Sequence, residues 1–200
     1  MRIACPSEPH DAFEPSEWVQ RWSHLVAPQG TVLDVACGRG RHLRWFSRSG
    51  HTVAGVDRSE QAIKAAALYG EAVLADIESG PWPFMVDGKP RQFEAVVVTN
   101  YLWRPLFPTI LRSLAPGGVL IYETFTVGNE TVGKPARSEF LLQSGELQGL
   151  CHGLRTVAFE DGFLASPDRF VQRIVAVREQ ANVDQPRRYR LPAGSDTFTG

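Results

Sequence analysis

Between Thr31 and Ser59 the chain reads TVLDVACGRGRHLRWFSRSGHTVAGVDRS. A short apolar run, Thr31 to Ala36, carries one acid, Asp34, and stops at two glycines, Gly38 and Gly40. Arg41 to Ser47 has helical composition, with Leu43 and Phe46 on one side, and Ser49-Gly50 breaks it as a helix C-cap. A second apolar run, Val53 to Val56, ends on Asp57. Strand, glycine turn, helix and a strand closed by an acid make half of a nucleotide-binding α/β unit. Glycine is demanded at such a turn where φ is positive or where a ligand presses on the backbone. A carboxylate at Asp57 can accept both hydrogens of a ribose diol.

The dinucleotide fingerprint G-x-G-x-x-G is incomplete. Gly38 and Gly40 are present, but Leu43 stands at the third position, which counts against NAD. Arg39 and Arg41 can still support a phosphate, so NAD stays open on the turn alone. Further along, Ser59 caps an alanine-rich helix to Leu68, with Ala62, Ile63 and Ala66 on its inner face. Ala72 to Ala75 is a third short strand, followed by Asp76-Ile77. Gly80-Pro81-Trp82-Pro83 and Asp87-Gly88-Lys89-Pro90 bound a loop. Phe93 to Thr99 is apolar on both faces, as in a buried parallel sheet, and Asn100-Tyr101 follows at its carboxyl end. Ligands of open α/β sheets bind outside the carboxyl ends of strands, so Asn100 and Tyr101 face the expected site. Pro105 starts a helix to about Leu114, and Val119 to Tyr122 is a fifth strand leading to Glu123. Leu154 to Phe159 and Phe170 to Val177 read as two more strands, joined by Glu160 to Arg169.

The segment Asp34-x-Ala36-x-Gly38-x-Gly40, with the phrase Leu114-Ala115-Pro116-Gly117-Gly118 before the fifth strand, resembles the class I S-adenosylmethionine-dependent methyltransferases. The resemblance covers roughly Thr31 to Arg178 and departs at Ala36, where the family pattern has glycine. It implies a Rossmann-like three-layer α/β sandwich of about seven strands, mostly parallel with an antiparallel last strand and with helices between the first five. S-adenosyl-L-methionine is the implied cofactor. Asp34 would lie near its methionine end, Ala36, Cys37, Gly38 and Gly40 would wrap the amino acid moiety, and Asp57 with Arg58 would hold the ribose. Asp76 and Ile77 would contact the adenine, although Asp76 taken alone reads better as a helix or turn cap. Asn100 and Tyr101 would sit beside the transferable methyl.

Methyl transfer is an in-line displacement in which a protein mainly orients two reactants and excludes water. No obvious triad is therefore needed, and a base matters only for harder nucleophiles. Tyr101, Arg104, Glu123 and Asn129 are candidates around the methyl, with catalytic roles open for Tyr101, Glu123 and Arg104. The glycine-rich Thr126 to Pro135 suits a substrate loop, where Lys134 can meet an anion. Trp18 and Trp22, four apart on a helix from Pro15 to Leu25, form either a lid or core. His42 lies just after the glycine turn, near the cofactor carboxylate or in an ordinary helix position.

With 200 residues a single domain is expected: an N-terminal helical segment at 1–30, a cofactor-binding domain at 31–178 and a tail at 179–200. A net charge of −1 gives no footprint for nucleic acid, and Asn100-Tyr101 lacks the prolines of amino-methylating nucleic-acid enzymes. The acceptor is therefore expected to be a small molecule, as in the tellurite-resistance and thiopurine-methylating types. No apolar run is long enough for a membrane. The N-terminus lacks the apolar core of a signal peptide, and the three cysteines have no metal or disulfide spacing, so a reduced cytoplasm is expected. The five histidines show no metal-ligand spacing, so no metal is expected. A monomer or homodimer is expected. The alternatives are a non-catalytic S-adenosylmethionine-binding sensor or partner subunit and, more weakly, an NAD-dependent oxidoreductase, which lacks a Tyr-x-x-x-Lys pair here.

Overall fold

A computed structural model describes residues 14–180 and 187–192. The first part of the N-terminal segment, including Cys5 and His10, and most of the 179–200 tail lie outside the described residues. Seven strands form one sheet: β1 (Thr31–Val35), β2 (Thr52–Asp57), β3 (Glu71–Leu74), β4 (Phe93–Thr99), β5 (Leu114–Phe125), β6 (Arg155–Leu164) and β7 (Arg169–Val177). Their spatial order is β3-β2-β1-β4-β5-β7-β6. The five strands β1 to β5 run parallel, β7 is antiparallel to β5, and β6 is antiparallel to β7. The expected α/β class and strand count stand, as does the antiparallel last strand.

Alternation along the strands builds two cores. Leu33, Val35, Val96, Val98, Leu120 and Tyr122 point to one face, covered by α4 (Phe107–Arg112) and α5 (Glu146–Leu150). Val32, Ala95, Val97, Val119 and Ile121 point to the other, covered by α1 (Glu17–Trp22), α2 (Arg41–Arg48) and α3 (Glu60–Ala66). Period-two side chains over a doubly covered sheet give the three layers. Trp18 and Trp22 are core, not lid: they are 1% and 2% exposed, edge-on to each other at 5.6 Å. Each large apolar side chain buried this way contributes on the order of 2–3 kcal/mol. Ser59 caps α3 as expected, its hydroxyl accepting from the Ala62 N–H.

Three boundaries differ from the sequence reading. No helix joins β3 to β4 among the described residues; a two-residue hairpin (Met85–Val86 with Lys89–Pro90) turns through Asp87 and Gly88, both at positive φ. Pro81, Pro83 and Pro90 remove the donors a helix would need. Helix α4 stops at Arg112 after a 3-10 turn at Arg104–Leu106, and β5 begins at Leu114 with a register shift against β4. The last two strands extend to Leu164 and from Arg169, leaving only 165–168 between them. Polar residues such as Glu160 and Asp161 belong to this strand pair, because one edge of it faces water.

Leu43 occupies the place of the third glycine of the dinucleotide fingerprint and is fully buried. The close approach of helix to strand is achieved from the other side. A Cβ at Gly55 of β2 would lie 2.8 Å from the Cys37 sulfur and 2.9 Å from Leu43 Cδ1. Gly40, at φ 82, is the N-cap of α2, and a Cβ there would meet the Ala66 Cα of α3 at 2.9 Å. Gly50 shares the positive φ, 86, with open space around it. Gly50→Ala should therefore cost only the backbone term, about 1 kcal/mol, whereas Gly40→Ala adds a clash and should cost about 2–4 kcal/mol. Urea midpoints of the two variants test this; equal losses would remove the packing role of Gly40.

Candidate functional site

Strands β1 and β4 are neighbours, yet the chain runs outward from β1 through β2 and β3 before it returns to β4. That reversal is the switch point at which open α/β sheets bind ligands, outside the carboxyl ends of the strands. The backbone leaving β1 there is a run of left-handed residues: Ala36 at φ 54, Gly38 at φ 54 and Gly40 at φ 82. Asp57 holds the run. One carboxylate oxygen accepts from the Gly38 N–H at 2.9 Å and the other from the Ser59 N–H at 2.8 Å. The Cys37 N–H donates to the Val56 carbonyl at 2.9 Å. Directly across, Asn100 leaves β4 at φ 55, its N–H donating to the Glu123 carbonyl. Ala36 and Asn100 are non-glycine residues in a conformation that costs of order 1 kcal/mol or more, and they face one cleft.

The cleft has two hollows that share Ala36, Asp57, Asn100 and Tyr101. One, about 290 Å³, is reached by Arg58, Asp76, Ile77 and Phe140. The other, about 440 Å³, lies against Cys37, Gly38, Arg41 and His42. Nine of the eleven residues expected at a cofactor thus line it: Ala36, Cys37, Gly38, Asp57, Arg58, Asp76, Ile77, Asn100 and Tyr101. Asp76 is also a turn cap, accepting from the Glu78 and Ser79 N–H groups and from the Ser79 hydroxyl, and these bonds hold its carboxyl below its usual pKa. Burial, with the Glu78 carboxylate nearby, pushes the Tyr101 phenol well above its usual range. Burial likewise raises the Cys37 thiol, beside the Asp34 and Asp57 carboxylates, so this cysteine is no nucleophile.

Asp34 and Gly40 line neither hollow. Asp34 is 1% exposed and points into the layer of α1 and α2, with His42 Nδ1 at 3.4 Å. The other ring nitrogen of His42 accepts from the Ser16 N–H at 3.2 Å. Ser16 is the N-cap of α1, and its hydroxyl donates to Glu123 at 3.0 Å. Glu123, 1% exposed, has Arg173 at 3.5 Å, and Arg173 also bonds Glu160. A chain of polar contacts therefore runs from β1 to β7 beneath the cleft. Glu123 is a strut within it rather than a free base. Arg104 lines neither hollow, and its guanidinium forks onto Glu146 at 2.6 and 2.9 Å and onto the Glu139 and Leu141 carbonyls. Asn129 ties its own loop, donating to the Pro135 carbonyl and accepting from the Phe170 N–H.

A third hollow, about 560 Å³, adjoins the cleft through Arg41, Asn100 and Phe125. Glu123 lies on its wall, with the start of α1 (Ser16, Glu17), Lys134 and the turn Ser166 to Arg169. Ser16 and Arg169 escaped the sequence reading. Their signal was present: Gln172 and Arg173 interrupt the buried strand RFVQRIVAV, and polar groups persist in such a strand only when partnered.

A family model described as "Methyltransferase domain" matches residues 32–118. The ubiquinone biosynthesis O-methyltransferase of Thiobacillus denitrificans is 29% identical over 130 residues, 58% of this chain and 56% of that protein. The chain spans about half the length of the curated relatives it matches. Among solved structures, TehB from Haemophilus influenzae superposes with a TM-score of 0.65 at 16% identity, covering 78% of this chain and 60% of that one. The N-methyltransferase NodS from Bradyrhizobium japonicum superposes with a TM-score of 0.61 at 16% identity, covering 80% and 94%.

Because Ala36 carries its Cβ at φ 54, Ala36→Gly should relieve strain and stabilise the fold by about 0.5–1 kcal/mol, against the usual loss for that exchange. Denaturant unfolding of the two proteins checks the sign, and a loss would show that the Ala36 methyl is held by packing.

Proposed function

We propose, from the match of residues 32–118 to a methyltransferase-domain model, that the chain is a class I methyltransferase that transfers a methyl group from S-adenosyl-L-methionine to a small-molecule acceptor. The single observation that carries this reading is the switch-point cleft braced by Asp57. Its donor set fits the cofactor. A Cβ at Gly38 would meet nothing within 4 Å, so the backbone there is open to a ligand. Asp57 carries spare lone pairs for a ribose diol beside the hollow that Asp76 and Ile77 reach. The NAD reading has no comparable support, since Leu43 fills the position where the fingerprint needs glycine.

In this reading Asp57 and Arg58 hold the ribose, Ile77 and Tyr101 enclose the adenine, and the turn from Ala36 to Gly38 holds the amino acid end. Bound there, the cofactor supplies an electrophilic methyl on a sulfonium leaving group. The residues of the chain orient and exclude water. Asn100, shared by all three hollows, sits where the acceptor meets the cofactor. No base is assigned: Glu123 is engaged by Ser16 and Arg173, and Tyr101 is held protonated. An acceptor that is already a good nucleophile suits such a site. The working unit we propose is 31–178, with α1 of the 1–30 segment packed onto it. Cys37 and Cys151 are free thiols, in keeping with a cytoplasmic location, and no described helix is long and apolar enough to cross a membrane.

Isothermal titration with S-adenosylmethionine, S-adenosylhomocysteine and NAD tests the reading. Micromolar binding of the first two is expected, with NAD silent. Asp57→Ala, which removes a charged acceptor of two ribose hydroxyls, should weaken binding by about 100-fold or more. Binding of NAD alone, or of no ligand, would sink the proposal. Tight binding without turnover on any nucleophile would point to the sensor role.

A further inference from the structure

Arg169 is anomalous among the arginines packed into this fold. Its side chain is 25% exposed, its Nε is buried without a hydrogen-bond partner, and its nearest carboxylate oxygen is Glu123 Oε1 at 3.9 Å. That separation is too long for a hydrogen bond. Other arginines at comparable depth all make hydrogen bonds: Arg104 makes four, Arg173, whose Nε is likewise buried without a partner, reaches Glu123 and Glu160 through its terminal nitrogens, and Arg178 donates to the Leu114 carbonyl. A guanidinium carries five N–H donors, has no acceptor capacity and does not lose its charge. Leaving such a group partly desolvated without acceptors is costly unless a ligand supplies them.

Position gives this unpartnered Nε its meaning. Arg169 lies on the wall of the 560 Å³ hollow that adjoins the cleft through Arg41, Asn100 and Phe125. Arg41 on the facing side is already used, donating to the Glu14 carbonyl and the Thr99 hydroxyl. Lys134 adds a second cation to the lining. Of the acids there, Glu14 pairs with Arg44 and Glu123 with Arg173, while Glu17 and Asp168 are exposed to water. The forked donor at depth is thus Arg169, and the aromatic wall between it and the cofactor cleft is Phe125.

Resting on the methyltransferase reading above, we propose that this hollow holds the methyl acceptor and that Arg169 binds an oxyanion on it, so that the acceptor is a small organic carboxylate or phosphate. The planar fork matches a carboxylate or phosphate edge with two parallel hydrogen bonds. The apolar body of the acceptor lies against Phe125, and its nucleophilic atom, at the far end from the anion, is directed toward Asn100. Arg169 is a specificity-determining residue in this scheme. Neutral analogues are rejected because they leave the guanidinium unpaired.

The test uses the whole chain with and without saturating S-adenosylhomocysteine, titrated with benzoate, phenyl phosphate and the neutral benzamide. Benzoate or phenyl phosphate should saturate the wild type, and whichever binds tighter identifies the oxyanion. Benzamide should not bind. Arg169→Met should weaken the anion by at least about tenfold, and Arg169→Lys, which keeps the charge without the fork, should fall between. Both variants should keep S-adenosylhomocysteine affinity within about threefold, a readout that reports an intact fold. The assignment is overturned if neither anion binds, if benzamide binds as well, or if Arg169→Met binds the anion like the wild type. Failure of S-adenosylhomocysteine to bind the wild type overturns the cofactor reading instead, and the ligand-free titration still reports on Arg169.

Discussion

The carboxylate of Asp57 is the joint on which the site depends. It ends β2, receives the Gly38 N–H from the turn after β1, and receives the Ser59 N–H that begins α3. Three elements that would otherwise diverge at the carboxyl edge of the sheet are fixed to one another through two charge-assisted hydrogen bonds. The turn it fixes is a costly one, since Ala36, Gly38 and Gly40 all have positive φ. A backbone held in that shape presents its open side at Gly38 to the cleft before any ligand arrives. Pre-organisation of this kind lowers the ordering cost of binding, which is the main quantity a small-molecule site can save.

Beneath that joint lies a second polar system. Asp34, His42, Ser16, Glu123, Arg173 and Glu160 connect β1, α2, the cap of α1, β5, β7 and β6 in one layer. Buried charges are a weak source of net stability, because desolvation offsets their attraction. They are a strong source of specificity, because any displaced member leaves another unpaired. Here the specified quantity is the seating of α1. Trp18, Val19 and Trp22 supply its hydrophobic contact, but an apolar face tolerates sliding. Ser16, bonded at both its N–H and its hydroxyl, fixes the start of the helix against the edge of the third hollow.

The sequence was most legible where local rules act. The strands, the glycine turn, the Ser59 cap and the acid at Asp57 each carry their own signal, and Ala36, Cys37, Gly38, Asp57 and Arg58, which line the cleft, come from one short segment. Ambiguity clusters where a residue's partner is remote. Gly40 reads as part of a ligand loop, yet what forbids a side chain there is Ala66, on the next helix. Arg104 follows a site strand and still turns away to Glu146, forty-two positions on. Trp18 and Trp22 have helical spacing that defines a face but does not say whether that face meets a sheet or a ligand. Asp34, read as a cofactor neighbour, obeys the alternation of β1 and points with Val32 into the α1–α2 layer.

That same alternation explains how the cofactor cleft and the third hollow come to share a wall. Glu123 and Phe125, two positions apart on β5, share the α1 face and both line the third hollow, and Phe125, at the end of the strand, also reaches the first. Asn100, forced into the left-handed region at the end of β4, takes its backbone bond from β5 at Glu123 and so lies between the two. An in-line transfer requires its two reactants to enter from opposite sides of one point with little room for error. Asn100 is bent out of β4 where β5 runs on to Phe125, so backbone geometry alone sets it at that junction. The side chains around that junction can vary without altering the backbone that sets it, as expected of a fold whose functions differ by the residues at its site.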